Sequence, residues 1–176
     1  GVDSYEGGGQ ADVQMVLVVD DANKTWQVLQ INRDTITKVP VLDVLGEIAA
    51  YADEQIALAH YYGNGGKLSC ENTELAVSML LNDQPIDGYF SVNMDAVSIL
   101  TDLVGGVTLT ITSDFSEIDP SLVQGETMTL NGQKALTYIR SRHHIDDQTN
   151  IARMARQRQF LAALEEKLKQ QDAQFA

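Results

Sequence analysis

Four arginines, Arg140, Arg142, Arg153 and Arg156, fall within seventeen residues of a 176-residue chain that has six arginines in all and a formal net charge of -13. Guanidinium groups are planar, permanently charged forks that match phosphate oxygens. Arginines converging beside acidic metal ligands therefore point to a phosphate or pyrophosphate site. The plainer alternative is a set of surface ion pairs with some of the 25 Asp and Glu residues. Helical spacing favours the first reading. On a helix beginning near Asn150, residues 153, 157, 161, 164 and 168 share one face, so Arg153 and Gln157 continue the stripe of Leu161, Leu164 and Leu168. An inward arginine and glutamine are costly without partners, which implies a lined pocket. Arg158 lies off the stripe and reads as ordinary surface.

Other chemistry-bearing residues are less informative. Adjacent His143 and His144 read as solvated loop residues, and Asp34 either holds Arg33 or caps a turn. Cys70, the one cysteine, cannot form an internal disulfide, and His60, His143 and His144 are too scattered for a Cys/His zinc site. Gly7-Gly8-Gly9 lacks the lysine and the strand–loop–helix setting of a phosphate-binding loop and reads as flexible connection. A pI near 4.4 excludes general attraction to nucleic acid or anionic lipid, leaving only local positive sites.

The elements that must position these residues alternate between strand and helix. Asp12 to Asp20 and Trp26 to Asn32 read as a hairpin turning at Asp21-Ala22-Asn23-Lys24. Helical periodicity covers Leu45 to Tyr62 with interruptions, then Glu71 to Leu81, where Asn72 or Thr73 would cap the start. A short strand is expected at Asp87 to Val92, a helix from Met94 to Val104 stopped by Gly105-Gly106, and a strand at Val107 to Ile111. Asp114 to Gly125 is acidic loop, and Asn131-Gly132 opens a helix through Ile139. The fold class is α/β: a mixed central sheet flanked by helices. At 19.3 kDa with 44% hydrophobic residues, residues 1–176 are expected to form a single domain. No apolar run approaches the about 18 residues that cross a bilayer, and a start at Gly1-Val2-Asp3 without leader or initiator methionine implies a fragment or processed form.

The order of these pieces resembles the LytR-CpsA-Psr family of bacterial envelope enzymes, over nearly the whole chain. The strings that carry the resemblance begin with Gly1-Val2-Asp3, Asp12 at the head of a strand, Asn32-Arg33-Asp34-Thr35, and Asp87-Gly88-Tyr89 with Val92-Asn93. They continue through Leu103-Val104-Gly105-Gly106-Val107, Leu130-Asn131-Gly132 with Ala135-Leu136-Tyr138, Arg140-Ser141-Arg142-His143, and Arg153 with Arg156 and Gln157. The resemblance implies a single LCP-like catalytic domain that transfers a glycopolymer from a polyprenyl-pyrophosphate carrier to a cell-wall (peptidoglycan) acceptor at the extracytoplasmic face of the membrane. The membrane anchor would lie outside this chain, and no nucleic acid takes part.

The same resemblance makes Asp3 and Asp12 the ligands of Mg2+ or Mn2+, and Arg33, Arg140, Arg142, Arg153 and Gln157 the grip on the pyrophosphate. Arg33, Asp12 and Arg153 are the catalytic candidates, and the gripping residues are expected to meet at one concave site. Four departures bear on activity. Gln10 stands where the family usually has arginine, Val13 where it has threonine, and Asn150 where it has an acidic residue, while Gln55-Ile56-Ala57-Leu58 replaces a K-I-N-A-like string. They leave open an alternative: a non-catalytic or weakly active binder of polyprenyl-pyrophosphate glycans.

Overall fold

Two β-prone runs and a polar turn produce the first element pair of the computed structural model, which describes residues 9–145 and 147–175, with side chains to residue 170. β1 (Gln14–Asp20) pairs antiparallel with β2 (Thr25–Ile31), running from Gln14 opposite Ile31 to Asp20 opposite Thr25. The turn is closed by Asp20, whose carboxylate accepts from the Asn23 backbone N–H at 3.0 Å and from its side-chain amide at 2.6 Å. That hairpin matches the sequence expectation. The chain divides into two compact units with the boundary between Met94 and Asp95.

In the first unit, β3 (Ile36–Leu42) and β4 (Ile48–Gln55) form a second antiparallel ladder with a bulge at Val41/Leu42. The helical reading of Leu45 to Tyr62 is therefore corrected. Its central stretch, Ile48 to Gln55, is a strand, and the helix in this region is only α1 (Leu58–Tyr61). Ala49, Ala50 and Ala52 favour a helix locally, but strand propensity depends on partners, and β3 supplies one. β3 itself contains Pro40, a residue that weakens any sequence case for a strand because it cannot donate to a ladder.

α2 (Gly66–Leu80) begins five residues before the expected Glu71, so Asn72 and Thr73 are not caps. Asn72 is buried within the helix, and its amide donates to Pro40 O at 3.0 Å and Ala59 O at 2.7 Å. This single side chain ties α2 to β3 and α1 above a core of Ile31, Val39, Ile56, Ala59, Ala76 and Val77. The expected strand at Asp87 to Val92 makes no ladder among the described residues.

α3 (Met94–Leu103) starts at the boundary, lies in the second unit from Asp95 on, and stops where expected. Gly105 and Gly106 adopt φ of +75° and +91°, and their N–H groups bond Asp102 O and Thr101 O. β5 (Val107–Thr110) pairs with β6 (Thr127–Leu130). Thr108–Thr129 and Thr110–Thr127 hydroxyl pairs, each at 2.8 Å, line the solvent face, while Val107, Leu109 and Leu130 enter the core. The α/β class thus holds, with the described strands paired as three two-stranded antiparallel ladders.

α4 (Gly132–Arg140) is capped by Asn131, whose side chain accepts from the Lys134 N–H at 2.9 Å. Gly132 is required by close approach: a Cβ there would lie 2.3 Å from Ser98 O and 2.7 Å from Asp102 Oδ2. Gly132→Ala is expected to destabilise the unit by roughly 1–3 kcal/mol through overpacking, measured as a lowered urea midpoint.

α5 (Asn150–Phe175) buries Arg153, Arg156, Gln157, Phe160 and Leu164. The expected stripe is corrected in two places, because Leu161 and Leu168 remain 38% and 40% exposed. The bulky ring of Phe160 takes the inward position one residue to the side, and the core ends near Leu164. No helix among the described residues is long and apolar enough to cross a membrane.

Candidate functional site

Arg33 sits in a tight turn between β2 and β3 that the neighbouring residues build. Asn32 Oδ1 accepts from the Asp34 N–H at 3.0 Å, and Asn32 O from the Thr35 N–H at 2.9 Å, so an asparagine side chain mimics a backbone turn. The guanidinium is then held on three sides. Nη1 pairs with the Asp12 carboxylate, Nη2 donates to Gln10 Oε1, and Nε lies 3.5 Å from Asp34 Oδ1. Asp34 holds Arg33 and belongs to its turn, in line with the sequence reading. The Asp12 side chain is 24% exposed and that of Arg33 15%, with the paired Asp12 Oδ1 itself buried. Asp3, the second expected metal ligand, lies outside the described residues. Among the described residues, no three His, Cys, Asp or Glu side chains gather as a metal cluster.

The second unit carries the remaining cationic candidates. Arg153 is 7% exposed, and its Nε and Nη2 both donate to Asn150 Oδ1, at 3.1 and 2.7 Å. Gln157, one turn further along the same face, is 5% exposed and donates to Ile139 O at 3.2 Å. Arg140, the last residue of α4, is exposed. Arg142 is half-buried, with Nη2 3.4 Å from His143 Nε2. Arg158 is exposed, as its off-stripe position implied.

Arg156 has a different place. It is 1% exposed, donating from Nε to Tyr138 O at 3.0 Å, from Nη1 to Ser113 Oγ at 3.2 Å, and from Nη2 to Ser141 O. Its guanidinium carbon also lies 5.6 Å from the Phe115 ring centroid. Two of the three acceptors are carbonyls at the C-terminal end of α4, where the helix dipole favours a cation. Arg156 is a clamp on the segment carrying Arg140 and Arg142. The sequence contained the residue but no sign of this role, because its partners are mostly backbone oxygens.

The sequence matches the LytR_cpsA_psr family over residues 1–175. The chain belongs to the LytR-CpsA-Psr family. It is 32% identical, over its whole length and 52% of the relative's, to the polyisoprenyl-teichoic acid–peptidoglycan teichoic acid transferase TagU of Halalkalibacterium halodurans. Among solved structures, B. subtilis TagV superposes with a TM-score of 0.67 at 31% identity, covering 92% of this chain and 57% of that one. The family protein YwtF (TagT), solved with bound octaprenyl pyrophosphate lipid, gives a TM-score of 0.70 at 26% identity, covering 96% of this chain and 62% of that one. The chain spans about half the length of the curated relatives it matches.

Within this LytR-CpsA-Psr chain, two of the departures from the family pattern have definite geometry. Gln10, where the resemblance expects arginine, is a neutral acceptor for Arg33. Asn150, where the resemblance expects an acidic residue, is a neutral acceptor for Arg153.

Proposed function

We propose that the chain transfers a glycopolymer from a polyprenyl-pyrophosphate carrier to a peptidoglycan acceptor at the extracytoplasmic face of the cell envelope, in a protein anchored to the membrane by a segment outside this chain. The observation that carries the reading is the Arg33–Asp12 pair: a guanidinium held by a carboxylate at family-motif positions, both side chains partly exposed. The named activity of the TagU relative and the octaprenyl pyrophosphate bound to TagT support it.

In the reaction, an acceptor sugar hydroxyl attacks the sugar-proximal phosphorus. A phosphodiester bond forms, the bond from that phosphorus to the bridging oxygen breaks, and polyprenyl phosphate leaves. Arg33, Arg140, Arg142 and Arg153 neutralise the phosphate oxygens, and Gln157 adds a neutral contact. Asp12 offers hard oxygen donors of the kind that hold Mg2+ or Mn2+ together with substrate phosphates, and Asp3 would complete the set. A bound ion there supplies further charge neutralisation. A second reading, binding without turnover, draws on neutral Gln10 and Asn150 at positions where the family carries charge.

Titration calorimetry with a soluble polyprenyl pyrophosphate tests the binding half of the proposal. Arg153→Ala is expected to weaken affinity by about tenfold or more, from a lost charge-assisted contact contributing about 1.5–3 kcal/mol, whereas Arg158→Ala changes little. Equal affinities in the two variants would reject the assignment.

A further inference from the structure

We propose that His60 is a positioning residue for this site, fixing the chain on the N-terminal side of Gln10 so that the Gln10 side chain stays against Arg33. His60, on α1, is 2% exposed, and its Nδ1 lies 2.7 Å from Gly9 O. A carbonyl oxygen only accepts, so Nδ1 carries the proton. Nε2 is buried without a hydrogen-bond partner. An apolar side chain would fill the same space without stranding a buried acceptor, so packing alone does not account for the imidazole. The donation to Gly9 does.

The neighbouring bonds show what that donation secures. Two residues after Gly9, the Ala11 N–H donates to Ala57 O at 3.2 Å, which brackets Gln10 between two anchors on the segment leading into and through α1. The same segment grips the Arg33 turn: the Ala57 N–H donates to Arg33 O at 3.2 Å and the Ile56 N–H to Thr35 O at 2.8 Å. Gln14 adds a side-chain anchor beyond Asp12, with Nε2 donating to Ile56 O at 3.3 Å. Residues 56–60 thus hold both the segment before β1 that carries Gln10 and Asp12 and the turn that carries Arg33. His60 supplies the side-chain anchor before Gln10. Burial holds its imidazole below the usual histidine range, consistent with a neutral Nδ1–H donor.

Two readouts test the inference, and only the second rests on the proposed function. The first is the NMR signature of the Arg33 guanidinium, whose Nη protons stay resolved while Gln10 restrains them. His60→Leu is expected to collapse those signals to an exchange average. His60→Asn, which places an amide N–H near the Nδ1 position, is expected to keep them. Should His60→Leu fail to fold, His60→Gln takes its place, because it puts the donor at the Nε2 position instead. Unchanged Arg33 signals in the donor-loss variant would overturn the inference.

The second readout is affinity for farnesyl pyrophosphate, expected to fall about tenfold in the donor-loss variant and to recover with His60→Asn. In an Arg33→Ala background the same substitution should cost nothing more. Losses that simply add would also overturn the inference. A wild-type protein that does not bind farnesyl pyrophosphate would count against the proposed function, and the Arg33 signals would still decide the role of His60.

Discussion

Arg156→Ala is expected to lower folding stability by roughly 3 kcal/mol or more, and Arg158→Ala by less than about 0.5 kcal/mol. The contrast follows from what each arginine touches. Arg158 is exposed, whereas Arg156 is fully buried, and its removal would strand Tyr138 O, Ser141 O and the Ser113 hydroxyl while opening a cavity beside Phe115. Each stranded buried acceptor costs about 1–3 kcal/mol unless water replaces the donor, and the cavity adds to that loss. Arg156→Lys should recover only part of the stability, since an ammonium cannot donate along the fork that reaches three acceptors. Urea denaturation followed by circular dichroism measures all three variants. Similar midpoints for Arg156→Ala and Arg158→Ala would contradict the clamp.

A larger functional effect is expected at Asp12. Asp12→Ala should abolish metal-dependent release of polyprenyl phosphate, a loss of roughly a hundredfold to thousandfold for one preorganised electrostatic group. The substitution removes a carboxylate proposed to hold the metal and also leaves Arg33 without its ion-pair partner. Asp12→Asn separates the two roles, because it keeps a polar side chain near Arg33 with much weaker affinity for a divalent ion. In the opposite direction, Gln10→Arg restores the family's cation where negative charge develops and is expected to raise the rate. Initial rates of polyprenyl phosphate release would check each variant. Undiminished release by Asp12→Ala would remove Asp12 from the metal site.

The parts of the fold that could be read from sequence are those whose causes are local. Two β-prone runs joined by Asp21-Ala22-Asn23-Lys24 marked the β1–β2 hairpin, and Gly105-Gly106 marked the end of α3 through their positive φ. Where a distant partner decides, local signals mislead. The alanines of β4 favour a helix, yet pairing with β3 makes a strand, and Asn72 looked like a cap but serves as a buried tie to Pro40 and Ala59. The same division applies to the candidate site. Motif strings identified Arg33, Asp12, Arg153 and Gln157, and helical spacing showed that Arg153 and Gln157 face inward. The partners Gln10 and Asn150 entered the sequence reading only as departures, since nothing in a residue string records which oxygen an arginine will meet. Arg156 and His60 were obscure for the same reason: their structural partners include the backbone carbonyls of Tyr138, Ser141 and Gly9.

The central claim is catalytic and is tested most directly by assaying the protein with a lipid-linked pyrophosphate, with and without magnesium or manganese. The account predicts that polyprenyl phosphate appears only when the metal is present, and faster with Gln10→Arg. Tight binding of the lipid with no metal-dependent release, even in the Gln10→Arg variant, would contradict it and leave a carrier-binding protein in its place.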